Sequence, residues 1–201
     1  MLFNCYNNKS SNIFESNKTY FMETKKNYIE LHVDIKTNAR WYQELKKKIR
    51  NRSWRWISRN FHITAIFMND DQLKKELVEV FDEILKDRQA PKLTLNSLKA
   101  FTTKSGKNHI VHITSSQPEE ELTDLVKCLR DKAESVGAII EQFRLHITLA
   151  YIDVHEMKLN EVENILKQIS LPSFEMTIRS IDYRYMGADR EACLIKHWDL
   201  V

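Results

Sequence analysis

The sequence predicts an α+β fold: a bilobal, duplicated arrangement of two antiparallel β-sheets with flanking helices around a central groove. Three observations carry this. Helix, strand, helix and hairpin patterns occur in that order twice along the chain. One tripeptide, His-Ile-Thr, stands in the strand of each repeat, at 62–64 and 146–148, an offset of 84 positions (146 − 62). Each repeat ends in a hairpin with a glycine at its turn, Gly106 in the first and Gly187 in the second.

The elements follow from residue patterning. Residues 1–26 are rich in Asn, Lys and Ser without a period and read as a poorly ordered extension. "YIELHVDI" (28–35) alternates as a strand does, and "ARWYQELKKKIR" (39–50) sets Trp41, Leu45 and Ile49 on one stripe of a helix. "FHITAIFM" is the first motif strand, and 70–87 is an amphipathic helix with acidic residues at its start. "KLTLNSLKAFTT" and "NHIVHITSS" form the first hairpin, around "KSGK". The second repeat opens with a helix punctuated by Ser116, Pro118 and Gly137. The strand "FRLHITLAYI", the helix "VHEMKLNEVENILKQI" and the hairpin of "SFEMTIRSIDYRY" with "REACLIKHW" complete it. The expected division is a lobe at about 27–116 and a lobe at about 117–201, each small for an independent domain.

Composition narrows the function classes. A net charge of +3 permits an anionic ligand but is too mild for a bulk nucleic-acid binder. Three widely spaced cysteines, Cys5, Cys128 and Cys193, form no disulfide framework and fit a reducing compartment. No apolar run is long enough to span a membrane, and the N-terminus lacks the pattern of a signal peptide, so a cytoplasmic monomer is expected.

His-Ile-Thr occurs a third time, at 112–114. The duplication sorts the copies. His62 and His146 share one structural position, whereas the middle copy lies in a hairpin whose equivalent position is Lys196, and it runs straight into the turn "SSQP". The middle copy therefore reads as a strand end outside the site. His109 and His112 fall on opposite faces of their strand, and His32, His155 and His197 stand outside any motif. In an unbroken strand, His62 and Thr64 project together, while Phe61, Ile63, Ala65 and Phe67 face the core. The same alternation pairs His146 with Thr148 and sends Leu145, Ile147, Leu149 and Tyr151 inward. Across a groove, the pairs would present two imidazoles and two hydroxyls.

Such a set suits phosphodiester cleavage or the opening of a cyclic phosphate. One imidazole takes a proton from the nucleophile and the other gives one to the leaving ribose oxygen, both with ordinary pKa values near 6.5. The threonine hydroxyls donate to the non-bridging phosphate oxygens. No carboxylate or cysteine cluster has metal-ligand spacing, so no metal and no cofactor are expected.

These residues resemble the two-histidine phosphoesterase superfamily, in particular its 2′-5′ RNA ligase and RNA 2′,3′-cyclic phosphodiesterase branch. "RWISRNFHITAIF" (55–67) is similar to the family's first motif region, "SLKAFTTKSGKNHIVHI" to the hairpin before its central helix, and "FRLHITLA" to its second motif. The resemblance covers about residues 28–199. It implies metal-independent chemistry on a nucleotide 2′,3′-cyclic phosphate or a 2′-5′ linkage, with His62 and His146 as the acid/base pair and Thr64 and Thr148 binding phosphate. Many relatives have Pro immediately before the second His and Arg three residues after the second Thr, where this chain has Leu145 and Tyr151. Arg144, Lys104 or Lys107 is expected to supply the charge instead, and Phe101 to stack on a base.

The arginines and tryptophans of "RNRSWRWISR" (50–59) are a mixture that binds RNA. Trp56 is expected to pack beneath the first motif strand, with Trp54 open between packing and stacking. RNA ends or small nucleotides are the expected substrates. The rivals are a phosphodiesterase degrading 2′-5′-linked or cyclic oligonucleotides and a non-catalytic RNA- or nucleotide-binding module, which would not need both imidazoles.

Overall fold

The computed structural model describes residues 26–58, 60–68, 75–186 and 192–201. The expected extension up to residue 25, the acidic start of the helix at 70–74 and the turn at Gly187 lie outside the described residues. The described elements, in chain order, are β1 (Lys26–His32), α1 (Arg40–Lys48), β2 (Arg55–Trp56), β3 (His62–Met68), α2 (Lys75–Leu85), β4 (Lys92–Leu95), β5 (Ser97–Thr102), β6 (Asn108–Thr114), α3 (Glu120–Ser135), β7 (Ile147–Asp153), α4 (Leu159–Lys167), β8 (Phe174–Thr177), β9 (Ser180–Met186) and β10 (Ala192–Asp199). All described strand pairs are antiparallel. The fold is α+β, as expected.

The sheets cross the expected lobe boundary near residue 116. One four-stranded sheet runs β10-β9-β1-β3 and the other β2-β7-β6-β5. Each repeat therefore lends its hairpin to the motif strand of the other: β5–β6 extends from β7, and β9–β10 joins β3 through β1. The exchange pairs backbone groups that would otherwise lie on open edges. A third, two-stranded sheet, β4 with β8, also joins the two halves of the sequence.

Local chemistry explains the helices and turns. In α1, Tyr42 and Leu45 are buried, and Ile49 continues the apolar stripe just past its end. Trp41 packs on Phe174, ring centroids 5.0 Å apart. Gly137 follows α3 with φ +79, a left-handed conformation that only glycine adopts freely. Gly106 turns the β5–β6 hairpin with φ +70. The core runs beneath both sheets, with Ile29, Ile63, Ile66, Ile113 and Ile147 fully buried. Each contributes about 1.5–3 kcal/mol of transfer free energy. Trp54 is buried and packs on Trp56, which in turn meets Tyr42 edge-on, so the tryptophans of 50–59 form a core cluster instead of an RNA-facing surface.

Candidate active site

Two matched interruptions of strand pairing shape the site. In β3, Thr64 pairs with Glu30 and Ile66 with Ile29, leaving Ala65 without a register partner. In β7, Thr148 pairs with His112 and Ala150 with Val111, leaving Leu149 unmatched. A β-bulge shifts the side-chain alternation by one residue. Ala65 and Ile66 are consequently both buried, as are Leu149 and Ala150. The next residues, Phe67 and Tyr151, line the groove. Unbroken alternation placed both in the core; the bulges bring them to the same face as the histidines.

Each bulge is held by a side chain from a helix. On α3, Arg130 donates to the Ala65 carbonyl (3.2 Å) and to the Glu141 carbonyl (2.7 Å). On α1, the Tyr42 hydroxyl lies 2.8 Å from the Leu149 carbonyl and 2.9 Å from that of Ile57, sharing one proton between them. Burial pushes the Tyr42 phenol well above its ordinary value, so it remains a donor. A charged donor serves one bulge and a neutral one the other.

A cavity of about 1050 Å³ lies between the two motif strands. His62, Thr64, His146 and Thr148 all line it, together with Phe101, Lys104 and Arg144. Seven of the eight residues named from sequence as site candidates thus share one space. Lys107 does not line it, although its carbonyl accepts from the Val154 amide at 3.3 Å. Arg144 lies over the Phe101 ring, 4.2 Å from its centroid, and that ring stands edge-on to His146 at 5.3 Å. Phe101 therefore packs on the His146 imidazole as well as facing the groove.

The surroundings of the two imidazoles differ. His146 Nδ1 lies 2.7 Å from the Arg144 carbonyl, and as a donor there it leaves Nε2 as the ring's second functional nitrogen. Burial, with further opposition from the Arg144 charge and from His62, holds its pKa below the usual histidine value. His62 is far more open, its side chain 45% exposed, and its Nδ1 lies 3.7 Å from the Glu30 carboxylate. Arg184 fixes Glu30 with a 2.5 Å ion pair and Asp182 with one of 2.6 Å. Asp182 in turn meets His197 Nδ1 at 2.6 Å, which, with Asp199, raises the His197 pKa.

The middle tripeptide stands behind the groove without lining it: His112 is 5% exposed, opposite Thr148 in the β6–β7 register, with its ring 5.6 Å from that of His146. Burial pushes its pKa down to about 4, aided by the nearby His146 charge. Its ring packs behind the imidazole of His146. Sequence reasoning also missed Glu30 and Arg184, whose place depends on long-range register. His109, on the opposite face, meets Thr102 Oγ1 and the Met157 carbonyl and is structural.

The family model described as the 2′-5′ RNA ligase superfamily matches residues 38–189. Escherichia coli LigT, solved in complex with 3′-AMP, superposes with a TM-score of 0.59 at 16% identity, covering 88% of this chain and 98% of LigT. TT0787 of Thermus thermophilus gives 0.59 at 14% identity, with 87% and 97% covered. Usb1 of Kluyveromyces marxianus gives 0.54 at 10% identity, with 84% and 96% covered. No curated protein matches the chain in sequence. At these identities the solved structures speak to the fold alone.

Proposed function

This chain belongs to the 2′-5′ RNA ligase superfamily, and we propose that it is a metal-independent phosphodiesterase opening nucleotide or RNA 2′,3′-cyclic phosphates by two-histidine acid–base catalysis. Membership supports action on a phosphodiester. The observation that carries the finer reading is the convergence of two His-x-Thr pairs, from strands bulged at equivalent places, on one cavity.

The unequal surroundings divide the labour. His146, buried and held below the usual histidine pKa, is the base: its neutral Nε2 takes a proton from water as the water oxygen attacks phosphorus. His62, beside the Glu30 carboxylate, is the acid. Its imidazolium gives a proton to the ribose oxygen whose bond to phosphorus breaks. The product is a phosphomonoester with one free ribose hydroxyl, and proton exchange with solvent resets both rings. Thr64 and Thr148 donate to the non-bridging oxygens, where charge gathers in the transition state. Arg144 and Lys104 add positive charge at the groove, and Phe101 supplies an aromatic face for a base. The three dispersed cysteines support the accompanying expectation of a reducing, cytoplasmic location.

Phosphorus NMR with adenosine 2′,3′-cyclic phosphate and a cyclic-phosphate-ended RNA, both in EDTA, tests this. Turnover in the unmodified protein and its loss in His62→Ala and His146→Ala are expected. Activity that survives in either variant, or that needs added metal, overturns the mechanism.

A further inference from the structure

A second cavity, of about 430 Å³, opens on the face of the β10-β9-β1-β3 sheet. It falls within the roughly 300–1,000 Å³ range of small-ligand sites. It shares Asn60, Phe61 and His62 with the main groove, so His62 stands on the threshold between the two. Its other walls include Tyr28, His32, Ser180, Asp182, Arg184 and His197.

The charges here are arranged differently from those of the main groove. Arg184 is engaged by both Glu30 and Asp182, and His197 by Asp182 and Asp199. Every cation named among these walls is therefore matched to carboxylate, which leaves little to attract a phosphate. What the cavity offers is an aromatic ring, Tyr28, half-buried with its centroid 6.3 Å from that of His62. It also offers hydrogen-bonding groups from Ser180 and His32. An uncharged nucleoside, with a base to stack and ribose hydroxyls to bond, matches that chemistry.

We infer that this cavity is a subsite for a second nucleoside of the substrate, next to the one whose phosphate reacts between the histidines. Resting on the proposed phosphodiesterase reading, it makes the substrate class an oligonucleotide of at least two units in preference to a mononucleotide. Tyr28 stacks the second base, and the Arg184-centred chain of ion pairs keeps the pocket rigid and free of phosphate.

Calorimetric titration of the unmodified protein with 3′-AMP and with the 3′-phosphorylated dinucleotide ApAp tests this without requiring turnover. ApAp is expected to bind on the order of tenfold more tightly, the worth of one base stacked on an aromatic ring. Tyr28→Ala should remove that advantage while leaving 3′-AMP affinity unchanged, which also shows that the variant is folded. Tyr28→Phe should retain it, and His32→Ala, at an exposed position, should reduce it. Equal affinity for the two ligands, an advantage that survives both alanine variants, or binding of neither ligand overturns the subsite. Tighter ApAp binding without any cyclic-phosphate turnover would instead overturn the proposed reaction and leave the subsite standing.

Discussion

His62 and His146 occupy matched places, each two residues ahead of a threonine and five ahead of an aromatic side chain carried into the groove by a bulge. What lies across the ladder from each threonine does not match: Glu30 faces Thr64, and His112 faces Thr148. One half of the site has an anion fixed by Arg184 behind an open imidazole. The other has a neutral, buried imidazole, with Phe101 and Arg144, behind a half-buried one. Duplication supplies hydroxyls on both sides of a phosphate, a task that suits symmetry. Acid–base catalysis needs opposite protonation states, and burial, which disfavours the charged form of His146, sets that ring apart from the open His62.

Replacing either of the two imidazoles proposed to be catalytic is the severest test of this contrast. His62→Gln and His146→Gln should each lower kcat by about 10²–10⁴, the usual worth of a positioned proton donor or acceptor. Their residual rates should respond differently to pH. His146→Gln should lose the acid limb of the rate profile, which in the unmodified protein lies below the ordinary histidine value of about 6.5 because burial disfavours the charged ring. His62→Gln should lose the alkaline limb. A reversed pattern would break the division of roles.

Glu30→Gln sharpens the comparison by equalising the halves. The side chain keeps its shape for Arg184 but no longer places a negative charge 3.7 Å from His62 Nδ1. The expected result is roughly a tenfold fall in kcat with little change in KM. A loss confined to thermal stability would show Glu30 to be structural only.

On the other side, His112 makes a measurable claim on stability. With a pKa near 4 in the fold and about 6.5 unfolded, it binds its proton more readily in the unfolded chain. Stability should therefore be full above about pH 6.5 and fall as pH drops toward 4, by up to about 3 kcal/mol, of which about 2 is lost by pH 5. His112→Phe keeps a ring against His146 and removes that loss. Urea unfolding of both proteins at pH 7.5 and pH 5 should give a difference that widens in acid; an unchanged difference would place His112 in a less buried setting.

The sequence made one layer of this site legible and hid the next. His62, Thr64, His146 and Thr148 could be found because tripeptide, period and offset are all local or repetitive signals. Phe67 and Tyr151 were assigned inward because "ITAIFM" and "ITLAYI" are apolar throughout, and a bulge in such a run leaves no mark on the pattern. Glu30 and His112 reach their places through register between strands far apart in the chain, which alternation does not encode. The exchange of hairpins between repeats escaped for the same reason: the order of elements fixes the repeat but not which strand pairs with which.

Tyr151 carries the smallest expected effect and bears on both halves at once. It and Phe67 are the aromatic pair that the two bulges aim into the groove, and Tyr151 stands where many two-histidine phosphoesterases carry arginine. A tyrosine there offers a ring and a hydroxyl, so the proposed reaction draws its phosphate-neutralising charge from Arg144 and Lys104, which line the groove. Tyr151→Arg would place a fixed cation beside Thr148 and make the two halves less alike. It should lower KM for a cyclic phosphate several-fold at low salt, with the gain fading as added salt screens the charge over about 10 Å at 0.1 M. Its kcat should change little, because attraction felt equally by ground and transition states alters binding alone. A KM indifferent to the substitution and to salt would mean that residue 151 meets the nucleoside instead of the phosphate, moving the base toward Tyr151 and the phosphate toward the threonines.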